Sequence, residues 1–290
     1  MEFADNLNRL ADSLLTAGAS AFNRGIERET LRTSMDGALA ATPHPKAFGS
    51  KLTHPLITTD FSEAQLELIT GVHDSVQGLV AELALIHRAV CQGLGDGDND
   101  ELLWAASMPC LLDSAAPIPL AHYGKSNLGR LKTTYRSGLG LRYGRAMQTV
   151  CAVHYNFSLS DKLWTALQAQ EGDPAPAKDY RSRRYFDLMR NFHRYSWLLV
   201  YLFGASPAVC NSFLRDREHE LLPFDDSTAY LPHATSLRSS NLGYRSDTQS
   251  AEMNPCYNSL DTYVNGLASA ICKPYPPYAR LGEQVNANVL

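Results

Sequence analysis

Leu7, Leu10, Leu14 and Leu15 recur at helical spacing, so the pattern predicts an opening helix over residues 3 to 18. The next segment, Gly25-Ile26-Glu27-Arg28-Glu29-Thr30, suits a strand with Glu27 and Glu29 on one face and Ile26 and Arg28 on the other. Gln65-Leu66-Glu67-Leu68-Ile69-Thr70 alternates as a half-buried strand does, with Leu66 and Leu68 toward a core and Glu67 away from it. A second amphipathic helix is predicted from Val76 to Gly93, through Leu79, Leu83, Ile86, His87 and Val90, and the glycine-rich Gly93-Leu94-Gly95-Asp96-Gly97-Asp98 breaks it. A third runs from Leu128 to Leu139, with Gly138 and Gly140 helping to end it.

The most regular strand candidate is 147–158. Met147, Thr149, Cys151, Val153, Tyr155 and Phe157 form its core parity, and Gln148, Val150, Ala152, His154, Asn156 and Ser158 form a polar but uncharged one. Such a face suits the lining of a substrate cleft. After a loop at Asp173-Pro174-Ala175-Pro176, helices are predicted over 180–204 and 206–215. Periodicity is weak from Pro223 to Tyr244, a helix is predicted from Leu260 to Ile271, and residues 284–290 alternate like a strand. This order predicts an α+β fold, a mainly antiparallel sheet flanked by helices.

Candidate chemistry sits on the first two strands. Glu27 and Glu29, two residues apart, are followed by a second acidic cluster containing Asp60, Glu63 and Glu67. Like charges held close raise one another's pKa unless a cation lies between them, and a hard divalent ion with oxygen ligands is the usual solution. A magnesium site is therefore one expectation. The plainer alternatives are a solvated acidic strand, and a wet helix face carrying Glu63 and Glu67 at i, i+4.

A net charge of -4 argues against nucleic acid or an anionic membrane as partner. The one basic knot, Arg181-Ser182-Arg183-Arg184, reads as the start of an amphipathic helix with a charged outer face. Cys91, Cys110, Cys151, Cys210, Cys256 and Cys272 are irregularly spaced without a C-x-x-C pair, as reduced thiols of a cytoplasmic protein are. The N-terminus lacks the order of a signal peptide. The longest apolar stretch, Trp197 to Ala205, falls well short of the ~20 residues of a membrane span. Gly124-Lys125-Ser126 is no P-loop, since the opening glycine would fall at Pro119, and no G-x-S-x-G or H-E-x-x-H is present.

Several segments together resemble the proteobacterial type of glutamate-cysteine ligase. They include Gly25-Ile26-Glu27-Arg28-Glu29-Thr30-Leu31-Arg32, Leu52-Thr53-His54-Pro55, Ile57-Thr58-Thr59-Asp60-Phe61-Ser62-Glu63-Ala64, Tyr123-Gly124-Lys125-Ser126-Asn127, Val153-His154-Tyr155-Asn156-Phe157-Ser158 and Ala234-Thr235-Ser236-Leu237-Arg238. The resemblance spans nearly the whole chain. It implies one catalytic domain over 1–290, the N-terminal portion of the family's length, with a sheet like that of glutamine synthetase. It also implies an ATP-dependent ligase, using Mg2+ or alternatively Mn2+, that joins L-glutamate to the amine of L-cysteine as the first step of glutathione synthesis.

By position, Glu27, Glu29, Asp60, Glu67 and His154 match the family's metal-binding residues. Phe61, Tyr135, Arg136, Gln148, Asn156 and Tyr244 match residues around the cysteine substrate, and Val150 and Arg238 match positions near glutamate, with Arg238 a fixed cation for carboxylate or phosphate. Family members continue past residue 290 and add a further metal-binding Glu, an Arg and a cysteine-pocket Tyr, so the resemblance implies a fragment of a longer protein, a C-terminally shortened homologue whose site is completed otherwise, or a remnant without turnover. Another amine acceptor, or a binding module without turnover, stays open as an alternative. The sequence leaves open whether the chain is a monomer or an oligomer.

Overall fold

In the computed structural model, described for residues 2–95, 100–109, 111–112, 117–214, 218–240, 242, 256–272, 284–285 and 288–289, one long strand organises the sheet. Strand β1 (Phe22–Ser34) runs for 13 residues. Along one edge it pairs with β3 (Gln65–Ile69), outside which lies β2 (Ile57–Thr59). Along its other edge it pairs with β5 (Val153–Leu159) through its first half and with β4 (Glu101–Leu103) at its end. All these pairings are antiparallel, as the pattern predicts.

Register decides what each face carries, because side chains alternate along a strand. Glu29 lies opposite Glu67, Glu27 opposite His154, and Thr58 opposite Glu67, so these side chains share the front of the sheet. Leu66 and Leu68, opposite Thr30 and Arg28, take the back. There helix α2 (Val76–Gly95) presents Ile86, Val90 and Leu94, which pack with Leu66, Leu68, Ile57 and Phe48. It starts at the predicted Val76 but runs through Gly93 and Leu94 to Gly95, and most of the following Asp-rich loop lies outside the described residues. The back face also buries Arg32 entirely. Its guanidinium donates to Glu101 Oε2 at 2.5 Å, Thr42 Oγ1 at 2.6 Å, and the carbonyls of Thr42 and Glu63.

Helix α3 (Asn127–Tyr143) begins at Ser126, whose hydroxyl accepts the Gly129 N–H. It does not end at Gly138 or Gly140 as the sequence suggests, but continues to Tyr143 and stops at Gly144, where φ is 80°. Both inner glycines serve packing rather than termination: Gly138 is buried, and a Cβ on Gly140 would stand 3.3 Å from Phe61 Cζ. Gly129 is tighter still, since a Cβ there would overlap the backbone carbonyls of Tyr123 and Gly124. We expect Gly129→Ala to cost about 1–3 kcal/mol through forced backbone shifts, measured by urea denaturation, despite alanine's better helix propensity.

The predicted strand 147–158 is corrected. Met147–Thr149 forms a 3-10 turn, with Thr149 Oγ1 donating to Ala146 O at 2.7 Å, and the strand starts only at Val153. A local side-chain bond offers the backbone an alternative to the ladder, which is why the regular alternation misleads there. Gln148 and Val150 are therefore not on the strand face of His154 and Asn156. The predicted core parity also splits: Met147, Thr149 and Cys151 are buried, whereas Val153, Tyr155 and Phe157 are exposed.

Helix α4 (Asp161–Glu171), not predicted, is capped by Ser160 at its start and by Gly172 in the left-handed region at its end. Its Leu163 joins Ala17 and Ala21 in a small core, with Leu14 of helix α1 (Glu2–Ala17) packed against it. Helix α5 (Ala177–Phe203) starts on the basic knot, and Arg181, Arg183 and Arg184 pair with Asp161, Asp173 and Glu171. Its Tyr180 and Phe186 are buried, but Trp197, Tyr201 and Phe203 near its end lie in the open.

The predicted helix 206–215 is not formed. Strand β6 (Ala208–Cys210) pairs there with β8 (Thr228–Tyr230), which also pairs with β7 (Leu222–Pro223), and a 3-10 turn follows at Asn211–Phe213. Helix α6 (Leu260–Cys272) follows prediction. The alternating C-terminal run contains two short strands, β9 (Gln284–Val285) and β10 (Asn288–Val289), that pair with each other. No helix among the described residues is long and apolar enough to cross a membrane.

Candidate active site

The front of the sheet gathers most of the residues matched to the metal site. His154 Nδ1 lies 3.2 Å from Glu27 Oε2, and its Nε2 lies 3.5 Å from Glu29 Oε1. Asn156 donates to Glu27 Oε1 at 2.8 Å, and the Ala152 N–H donates to Glu29 Oε2 at 2.8 Å. Glu67 is brought opposite Glu29 by register, and Asp60 follows β2 directly.

Electrostatics bind these groups together. Burial, followed by the like charge of Asp60, pushes the Glu29 carboxyl up to about 7, against the lowering effects of the Ala152 N–H and His154. Glu67 is raised by burial and then by Asp60 and Glu27. Asp60 is raised by burial, with Arg136 opposing. Clustered carboxylates that hold protons this tightly are short of positive charge. Four carboxylates and an imidazole fit a hard divalent ion in kind. Among the described residues, however, no three such side chains are yet gathered closely enough to hold one.

A second group lies on or against α3, whose Arg136 reaches the backbone of Asp60. Phe61 is fully buried against α3, while Tyr135 on that helix is half-exposed. Arg136 donates through Nε to the Asp60 carbonyl, and through Nη1 to Lys132 O at 3.1 Å. Gln148 is buried, and its Nε2 has no hydrogen-bond partner among the described residues, a donor that lacks an acceptor.

Val150 packs on the core that includes Met147, Val209 and Leu237, and Arg238 is exposed in the short turn Leu237–Ser239 beside that leucine. Tyr244 lies outside the described residues. A hollow of about 320 Å3 is lined by His44, Lys46, Lys51, His122 and Tyr123, with no carboxylate in its lining.

Sequence reasoning gave no role to Tyr123 or to the Glu63–Lys51 pair, although the geometry beside Asp60 depends on them. The available signal was position: Glu63 lies three residues beyond Asp60, and Tyr123 opens the segment leading into α3.

Carboxylates and an imidazole on the front of an antiparallel sheet, with the Arg136 guanidinium bonded to the Asp60 backbone, define an α+β fold with an acidic, sheet-borne site. Comparison narrows the class. The family model of glutamate-cysteine ligase matches residues 7–290, and the chain belongs to that family. A glutamate--cysteine ligase of Alcanivorax borkumensis is 52% identical over 98% of this chain and 56% of its own length. One from Pseudomonas aeruginosa is 52% identical over 92% of this chain and 51% of its own. The chain thus spans about half the length of these curated relatives.

Among solved structures, the glutamate-cysteine ligase of Francisella tularensis in complex with AMP superposes with a TM-score of 0.80 at 36% identity, covering 93% of this chain and 51% of that one. A bifunctional glutathione synthetase from Pasteurella multocida gives 0.74 at 31% identity, over 94% of this chain and 32% of its own.

Proposed function

We propose that this chain carries the ion-binding and amine-binding walls of an ATP-dependent ligase that joins the γ-carboxylate of L-glutamate to the amine of L-cysteine, the first step of glutathione synthesis. The observation that carries the reading is the register placing Glu27, Glu29, Glu67 and His154 on one sheet face in a chain of this family. Glu27, Glu29, Asp60, Glu67 and His154 would hold Mg2+, or Mn2+ in its place. Bound there, the ion supplies charge neutralisation for the transferring phosphoryl group.

A carboxylate is a poor electrophile. ATP therefore gives its γ-phosphoryl group to the glutamate side chain, leaving ADP and an acyl phosphate. The cysteine amine attacks that carbonyl, phosphate leaves, and the nitrogen loses a proton as the amide forms. Tyr135, backed by the buried Phe61, would form an apolar wall for the thiol side chain, and Arg136, Gln148 and Asn156 would surround the same substrate. Such a wall discriminates by only about 1–3 kcal/mol per methylene-sized difference. Val150 borders glutamate, and Arg238 serves as the catalytic fixed cation for carboxylate or phosphate. The compartment that suits this chemistry and the unpaired Cys91, Cys151, Cys210, Cys256 and Cys272 is the cytoplasm.

We expect phosphate release from ATP in the presence of Mg2+ to require glutamate and cysteine together, in this chain or in a version completed to its relatives' length with the remainder of one of them. Tyr135→Ala should narrow the preference for cysteine over 2-aminobutyrate. Release with neither amino acid would overturn the ligase reading. Nucleotide binding without release in both forms would identify a binding module instead.

A further inference from the structure

We propose that Tyr123 is a positioning residue, which clamps the Thr59–Asp60 backbone and the Arg136 guanidinium and so sets the acidic face for its ion. The inference rests on the ion-site reading above. Tyr123 is buried, and its hydroxyl donates to Thr59 O at 2.5 Å and accepts from Thr59 Oγ1 at 3.0 Å, with Asp60 O 3.2 Å away. Arg136 grips the same two carbonyls, Asp60 O through Nε and Thr59 O through Nη2 at 3.4 Å, while stacking over the Tyr123 ring at 4.7 Å. One side chain thus fixes both the peptide that carries a proposed ligand and the cation beside it.

The ring has further company. Lys51 and Lys132 place their ammonium groups 5.6 and 5.2 Å from its centroid, so three cations face one aromatic ring. Glu63 fastens the segment from behind: it pairs with Lys51 and accepts the backbone N–H groups of His44 and His122, each at 3.0 Å. Tyr123 is therefore held at its backbone, its face and its hydroxyl. A tyrosine kept only to fill a core needs one partner for its oxygen; this one holds the junction where β2 passes into Asp60.

The test is Mn2+ binding to the full chain, followed by electron paramagnetic resonance, with thermal unfolding measured in parallel. Tyr123→Phe keeps the ring and its cations but removes the hydroxyl. It should weaken Mn2+ binding about 10-fold or more, the lower range for loss of a group that orients a ligand. Tyr180→Phe is the control, because Tyr180 is as buried but bonds Glu171; Mn2+ affinity should not move there.

Equal Mn2+ affinity in Tyr123→Phe and the parent chain, with binding abolished by Glu29→Gln, would overturn the positioning role and leave the ion site standing. Binding unchanged by Glu29→Gln would overturn both. Should Tyr123→Phe give no folded protein, Thr59→Val removes the one bond the Tyr123 hydroxyl accepts while keeping those it donates; a smaller loss of Mn2+ affinity is expected there, and unchanged affinity would overturn the positioning role.

Discussion

Glu101→Ala is expected to destabilise the fold by about 3–5 kcal/mol, the usual cost of leaving one member of a buried ion pair without its partner. Arg32 and Glu101 have side chains only 1% and 7% exposed, so water cannot replace what the substitution removes. Thr42 keeps its contacts to Arg32 but is neutral, and its hydroxyl loses the Glu101 acceptor at 2.5 Å. Set against a typical total of 5–15 kcal/mol, the loss would leave a substantial unfolded fraction. Replacing both partners, as Arg32→Met with Glu101→Leu, removes the stranded charge and should recover most of the deficit. Urea denaturation of the two single variants and the double variant measures the coupling. A loss below ~1 kcal/mol in Glu101→Ala would show the guanidinium to be otherwise satisfied.

The second large effect runs in opposite directions for stability and ligand binding. Glu29→Gln should raise the melting temperature of the ion-free chain while weakening Mn2+ binding by at least the ~10–100-fold that loss of an outer-shell partner costs. Burial and Asp60 move the Glu29 carboxyl from 4.5 to about 7, so the folded chain takes up its proton more readily than the unfolded chain. Stability from that proton is complete below the unfolded pKa and is lost as pH rises to about 7. At neutral pH the charged carboxylate is a cost on the order of 1–3 kcal/mol, which the neutral amide removes while its oxygen still accepts the Ala152 N–H. Differential scanning calorimetry at pH 5 and pH 8 should show the gain mainly at the higher value. A lower melting temperature at pH 8, or undiminished Mn2+ binding, would contradict the argument.

The front of the sheet was legible because its signal is local and periodic. Glu27 and Glu29 lie two apart, Glu67 stands between Leu66 and Leu68, and the pleat turns such spacings directly into faces. Residues 147–149 were misread for the same reason, since alternation cannot reveal that Thr149 bonds back to Ala146 and winds a turn. Helix α4 went unread although both its caps, Ser160 and Gly172, are ordinary sequence signals. Long-range partners leave no such trace. Nothing around Arg32 points to Glu101, 69 residues on, and nothing near Tyr123 announces the Thr59 carbonyl. The grouping of Asp60 with Arg136 became visible only through the fold, while the family resemblance supplied roles for residues whose spacing alone was silent.

Strand β1 has a consequence for how this chain tolerates change in length. Its carboxylates and its arginines alternate on one backbone, so a single residue inserted between Phe22 and Glu27 would exchange the two sets against β3. Arg28 would then meet Glu67, and the acids would be driven under α2 among Ile86 and Val90. Any lineage that keeps this site can lengthen the hairpin beyond Ser34 or the loops around it, but the frame from Phe22 onward admits substitution and not indels.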